Sequence, residues 1–96
     1  MKRYFVGRRR QVKEFKYVIT DELGMHARPA GLLVKKTTGF QAAIRIKKDE
    51  KEVDAKKMFA IMGLGIKKGN EITVSADGAD EDEAIAAIET FVKTNL

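Results

Sequence analysis

Cysteine is absent from the 96 residues, which excludes a disulfide framework and thiolate chemistry and is what a cytoplasmic chain would show. Histidine and proline occur once each, and serine occurs only at Ser75. One histidine, with no cysteine and no nearby carboxylate pair, cannot fill a metal site, so no metal or other cofactor is expected. Ser75 sits inside a strand pattern and not at a strained strand-to-helix elbow, which removes Ser-His-Asp chemistry. Long apolar runs are also missing. The longest, MFAIMGLGI at 58–66, is about half the ~18–20 residues a membrane helix needs and is broken by two glycines. No secretory h-region is present, and membrane insertion is not expected.

Hydrophobic residues make up 44% and charged residues 34% of the chain, enough for one domain with a single modest core. The formal charge of +5 is unevenly spread. Residues 1–11 (MKRYFVGRRRQ) hold Lys2, Arg3, Arg8, Arg9 and Arg10 and no acid. Without them, fourteen bases face fourteen acids, so the basicity belongs to this leader. We expect the leader to be a disordered terminus or a start-site artefact, with a basic arm for anionic partners as the alternative. A ribosome-binding purine tract translated as Arg-Arg, followed by a GTG codon translated as Val12, would make Val12 the natural first residue. The expected division is thus a leader over 1–11 and a folded domain over 12–96.

Beyond the leader, residues 13–20 alternate, with Phe15, Tyr17 and Ile19 on one side, and read as a half-buried strand. From Ala27 the period becomes helical through Ala30, Leu33, Val34 and Thr37, and Gly39 after Lys35 and Lys36 marks its end. Residues 41–47 alternate again through Ala42, Ile44 and Ile46. A polar turn at 48–51 and a short strand at 52–54 complete a hairpin. Residues 56–64 read as a short helix with too many apolar groups for one face, and the glycines at 63, 65 and 69 end it. Residues 71–76 are a strand. Asp80 then has the chemistry of a helix N-cap, with Glu83 placed for a capping box and Glu81 and Asp82 suited to the positive helix end. The order β-α-β-β-α-β-α, with one apolar face per strand and one stripe per long helix, predicts an α+β fold: a single sheet with helices stacked on one side.

The only histidine and the only proline fall together in GMHARPAG, residues 24–31. If the helix starts at Ala27, His26 is its N-cap, and Pro29 in the first turn loses no hydrogen bond. The N–H groups of Ala27, Arg28 and Ala30 would then lie free beside the imidazole. A helix N-terminus attracts anions, and a guanidinium fork such as that of Arg28 matches phosphate oxygens. An imidazole nitrogen is nucleophilic near neutral pH, and phosphorylating it forms a labile P–N bond. On the residues alone, two readings stand: His26 as a reversible phosphoryl acceptor, or as a plain helix cap with Arg28 a solvated charge.

LGMHARPA, the LLVKK helix, MFAIMGLGI and EITVSADGADEDEAI together resemble the histidine-containing phosphocarrier family, HPr, of the bacterial sugar phosphotransferase system, over residues 12–96. The resemblance implies an open-faced β-sandwich, a four-stranded antiparallel sheet with three helices on one face. It implies that His26 takes a phosphoryl group on Nδ1 from phosphorylated enzyme I and passes it to IIA components of sugar permeases. Arg28 and the backbone of Ala27 and Arg28 would hold the phosphate. Met58, Phe59 and Met62, with Lys35 and Lys57, would form the docking surface; core packing is the competing reading for this apolar helix, more for Ile61 and Met62 than for Phe59. Such a protein is a carrier and not an enzyme, and is expected to be a monomer that binds no nucleic acid. Where many Gram-positive members have a regulatory serine, this chain has Lys57, which cannot form a phosphate ester, so no regulatory serine is expected. The lysine leaves open an auxiliary or nitrogen-branch carrier. A nucleic-acid-binding module using the leader with Lys35, Lys36, Lys67 and Lys68 is more remote, because the remaining chain is neutral and exposed aromatics are scarce.

Overall fold

Alternation in residues 13–18 has a structural counterpart: strand β1 (Lys13–Val18) leaves Lys16 exposed and half-buries Phe15 and Tyr17. The computed structural model describes residues 13–96; the expected leader at 1–11, Val12 and the proposed boundary between them lie outside the described residues. The elements that follow are α1 (Ala27–Thr37), β2 (Ala43–Lys48), β3 (Lys51–Asp54), α2 (Met58–Gly63), β4 (Glu71–Asp77) and α3 (Glu81–Asn95). This is the order read from the sequence. The four strands form one antiparallel sheet in the order β1-β4-β2-β3. β4 is central and pairs Phe15 with Val74 on one side and Ile46 with Val74 on the other. The hairpin turn is only two residues, Asp49 and Glu50, because Lys48 faces Lys51. Asp49 takes φ 56° there, a left-handed value that aspartate tolerates.

The inward residues of the sheet, Ile44, Ile46, Ile72, Val74 and Ala76, are all buried. They meet Ala30 and Leu33 of α1, Ile61 of α2, and Ala84, Ile88 and Val92 of α3 in one core. Burying each large aliphatic side chain contributes about 1.5–3 kcal/mol. The outward residues Lys16, Arg45, Lys47 and Glu71 face solvent, so helices cover one face only. Thr37 is the buried polar side chain among the described residues. Its hydroxyl donates to the Ala55 carbonyl at 2.8 Å and to Val34 at 3.1 Å, which ties the end of α1 to the segment leading into α2.

The capping box expected at α3 does not form. Asp80 is the N-cap but makes no side-chain bond to its own helix. Its carboxylate instead accepts the N–H groups of Gln41 and Ala42, both at 2.8 Å. Glu81, rather than Glu83, reaches back, accepting the Gly78 N–H at 2.9 Å. The unpaired donors at the entry to β2 offer charge-assisted bonds that outcompete the local cap. Gly78 permits this approach, since a Cβ there would lie 2.7 Å from the Ala42 Cα.

The Gln41 N–H bond holds the Asp80 carboxyl below its ordinary value of 3.8; desolvation opposes this, and the Ala42 bond and nearby Lys56 add to the lowering. A carboxyl lowered on folding stabilises the protein fully above its unfolded pKa and loses that contribution as pH falls through the folded value. Unfolding followed from pH 7 down to about pH 2 is therefore expected to show an acid-side loss of stability that is shallower in Asp80→Asn. Parallel curves for the two proteins would contradict the assignment.

Candidate functional site

His26 stands at the N-cap of α1 with φ −85° and ψ −178°, extended backbone that any residue adopts. Its carbonyl accepts the Ala30 N–H at 3.1 Å, which corrects one expectation: Ala30 is not a free donor, because the N-cap carbonyl takes the first helical bond. Pro29 has no N–H, so Ala27 and Arg28 are the first-turn residues whose donors stay open among the described residues. The imidazole makes no capping bond of its own, and its side chain is 37% exposed. Nothing seals the ring inside the protein.

The loop before it is held from three directions. Asp21 accepts the Leu23 N–H through its side chain at 3.0 Å and the Gly24 N–H through its carbonyl at 3.1 Å. Met25, buried in the core, donates to the Ile66 carbonyl at 3.0 Å. The Leu96 carbonyl, at the end of α3, accepts the N–H groups of Thr20 at 2.6 Å and Asp21 at 2.7 Å, and the Thr20 hydroxyl at 3.1 Å. Gly24 makes the turn possible. It has φ 63°, and a Cβ on it would lie 2.5 Å from the Ile66 carbonyl oxygen and 2.8 Å from the Lys67 Cα.

Beside the imidazole lies a polar hollow of about 260 Å³, lined by Asp21, His26, Arg28, Pro29, Leu32, Thr94 and Asn95. Arg28 is exposed and has no ion-pair partner among the described residues. Asp21 Oδ2 is 3.9 Å from His26 Nε2, an electrostatic approach too long for a hydrogen bond. With Nε2 turned toward Asp21, Nδ1 is the other nucleophilic edge of the ring. Asp21, Thr94 and Asn95 were not singled out by sequence reasoning. Asp21 lies between the strand at 13–20 and the helix from Ala27 and carries no motif, and nothing local in the chain shows that the last turn of α3 ends here. Leu23, also unremarked, is 71% exposed beside the site loop.

The expected docking residues divide by burial. Phe59 is 87% exposed, whereas Ile61 is fully buried; Met58 and Met62 are half-buried against the core. Lys35 and Lys57 are exposed, Lys57 as the N-cap of α2. The Met58 thioether lies over Gly31 of α1, 4.0 Å from where a Cβ would stand, so the helix carrying Phe59 packs directly on the helix carrying His26. Lys48 fixes the far end of α2 by donating to the Leu64 and Gly65 carbonyls, each at 3.2 Å.

The PTS HPr component phosphorylation site family matches this chain over residues 13–94. The chain belongs to the HPr family. Over 84 residues it is 44% identical to the phosphocarrier protein HPr of Mycoplasma capricolum, covering 86% of this chain and 94% of that protein. Its fold is similar to the crystal structure of HPr-C-His from Thermoanaerobacter tengcongensis, with a TM-score of 0.82 at 41% identity over 85% of this chain and 92% of the other. It is also similar to the solution structure of Crh, the Bacillus subtilis catabolite repression HPr, with a TM-score of 0.64 at 32% identity over 88% and 100% of the two chains. The open sheet with three helices is the HPr architecture. Among the described residues, no helix is long and apolar enough to cross a membrane.

Proposed function

We propose that this HPr-family protein is a cytoplasmic phosphocarrier, charged on Nδ1 of His26 by phosphorylated enzyme I and discharged to IIA components of sugar permeases. In each transfer the P–N bond to Nδ1 forms as the bond to the donor breaks, and the reverse occurs on delivery. The open N–H groups of Ala27 and Arg28 and the Arg28 guanidinium hold the phosphate oxygens, in the manner of anions at helix N-termini. As a carrier it acts as a substrate of its partners and has no turnover of its own. The observation that carries the reading is the exposed imidazole at the open end of α1, facing a polar hollow that Arg28 shares.

Incubation with enzyme I and labelled phosphoenolpyruvate, followed by mapping of the acid-labile, base-stable modification, tests it. Label on His26 is the expected result, and an unlabelled protein beside a competent donor would reject it. Lys57 in place of a serine favours an auxiliary carrier as the second reading, distinguished by transfer to regulators in place of sugar-permease IIA components.

Docking rests on Phe59, supported by Met58, Met62, Lys35 and Lys57, with the protein acting as a monomer. An aromatic this exposed beside flexible methionines suits binding to several partners. Phe59→Glu is expected to raise the KM for this protein with enzyme I at least roughly tenfold and leave the melting temperature nearly unchanged, as for a surface position. Ile61→Ala, from the same helix, is expected to cost about 2–5 kcal/mol of stability. Thermal unfolding of the pair separates the surface role from the core one.

A further inference from the structure

A second hollow, of about 540 Å³, opens between α1 and α3, lined by Leu32, Lys35, Lys36, Gly39, Phe40 and Phe91. Its volume lies within the range of small-molecule sites, roughly 300–1,000 Å³. Phe91 and Phe40 provide an apolar floor, and Leu32 forms one wall while remaining 42% exposed to solvent. The same Leu32 borders the His26 hollow on its other side. No acidic residue lines the α1–α3 hollow.

Lysines in the last turn of a helix are commonly explained by the helix dipole and its open carbonyls. Here that task is already done by other groups. The Val34 carbonyl accepts the Thr38 N–H at 3.0 Å, and the Lys35 carbonyl the Thr38 hydroxyl at 3.1 Å. The Lys36 carbonyl accepts the Gly39 N–H at 3.2 Å, and the Thr37 carbonyl the Phe40 N–H at 3.1 Å. Neither Lys35 nor Lys36 forms an ion pair among the described residues. Two exposed lysines whose ammonium groups have no partner among the described residues therefore line the hollow beside its apolar floor.

We propose that the α1–α3 hollow binds a small amphipathic monocarboxylate, its aromatic or short acyl body on Phe40, Phe91 and Leu32 and its carboxylate at Lys35 and Lys36. A singly charged head suits this rim, which offers ammonium groups and no array of backbone donors. The helix N-terminus and guanidinium fork that favour a dianionic phosphate lie at the other hollow, around His26. The proposal does not depend on the carrier role, because it concerns a direct binding event read without enzyme I, although Leu32 also borders the His26 hollow and Lys35 is shared with the docking surface.

The test is titration of the ¹⁵N-labelled protein with 4-phenylbutyrate, followed by amide chemical shifts. Saturable shifts are expected at Lys36, Gly39, Phe40 and Phe91, with a Kd on the order of 1 mM for a ligand of this size. Uncharged 4-phenylbutanol is expected to bind at least roughly tenfold more weakly, the scale of losing one charge-assisted contact. Lys36→Glu is expected to weaken the carboxylate by a similar factor while the rest of the spectrum stays unchanged. Equal binding of the alcohol, shifts centred on His26 and Arg28, or no saturation well above that concentration would each overturn the proposal. So would an acidic, aromatic peptide shifting these amides where the carboxylate does not.

Discussion

His26→Ala is expected to lose all acid-labile phosphorylation by enzyme I and phosphoenolpyruvate while remaining folded. The two halves of that outcome have separate causes. The histidine is the only one in the chain, and no cysteine or second imidazole can substitute as a nucleophile. The fold is indifferent to the ring, because the imidazole makes no capping bond and the N-cap interaction it does make, from its carbonyl to Ala30, is backbone. A change of at most about 0.5 kcal/mol in stability is expected, as at other exposed positions. Arg28→Ala is the graded companion. Losing a hydrogen-bonding cation from a charged group costs about 1.5–3 kcal/mol, so transfer is expected to slow roughly ten- to hundredfold with binding to enzyme I retained. Rapid-quench measurement of label on the protein reads both variants, and phosphorylation surviving in His26→Ala would refute the acceptor assignment.

Gly24→Val is expected to be the most damaging single change near the site. Two penalties fall on one residue. The φ of 63° costs a non-glycine residue about 1–2 kcal/mol, and more for a β-branched one. The added Cβ would also stand 2.5 Å from the Ile66 carbonyl oxygen and 2.8 Å from the Lys67 Cα. Both contacts are backbone, so no side chain can swing away. Overpacking of this kind adds about 1–3 kcal/mol, and a fall in melting temperature of more than ~10 °C is expected for a domain this small. The relief available to the chain is to move 21–25 away from 66–67, which breaks the Met25 to Ile66 bond and displaces His26. Gly24→Ala should show the same loss to a lesser degree. Circular dichroism melting, with phosphorylation assayed well below the transition, separates instability from misplacement of the ring. A variant of wild-type stability would show that the close approach does not govern this loop.

The order of elements was legible because each carries its own period: Ile44 and Ile46 alternate, Ala30 and Leu33 recur at helical spacing, and the burial of all four agrees. The apolar run in α2 was harder. Six residues of helix cannot define a face by spacing, and only the packing of Met58 on Gly31 and of Ile61 in the core leaves Phe59 outside. Asp80 was legible as the N-cap of α3 but its side-chain partners were not, because the donors that claim its carboxylate lie at Gln41 and Ala42, distant in sequence. Around His26, the residues near in sequence were readable. Asp21 opposite the ring, and Thr94 and Asn95 along the hollow, are not coded by any local pattern. They arrive because the end of α3 docks on the loop.

That docking bears on how the protein is made. Among the described residues, the edge strand β1, which leads into the His26 loop, pairs with β4 alone, and the loop's amides at 20 and 21 find their acceptor at Leu96. Bringing together partners so far apart in sequence carries a loop-closure cost and slows folding. A nascent chain that has not yet released β4 and the final turn of α3 from the ribosome has a histidine but no shaped place for it. The shape of the loop that carries His26 thus depends on pairings made across most of the folded chain.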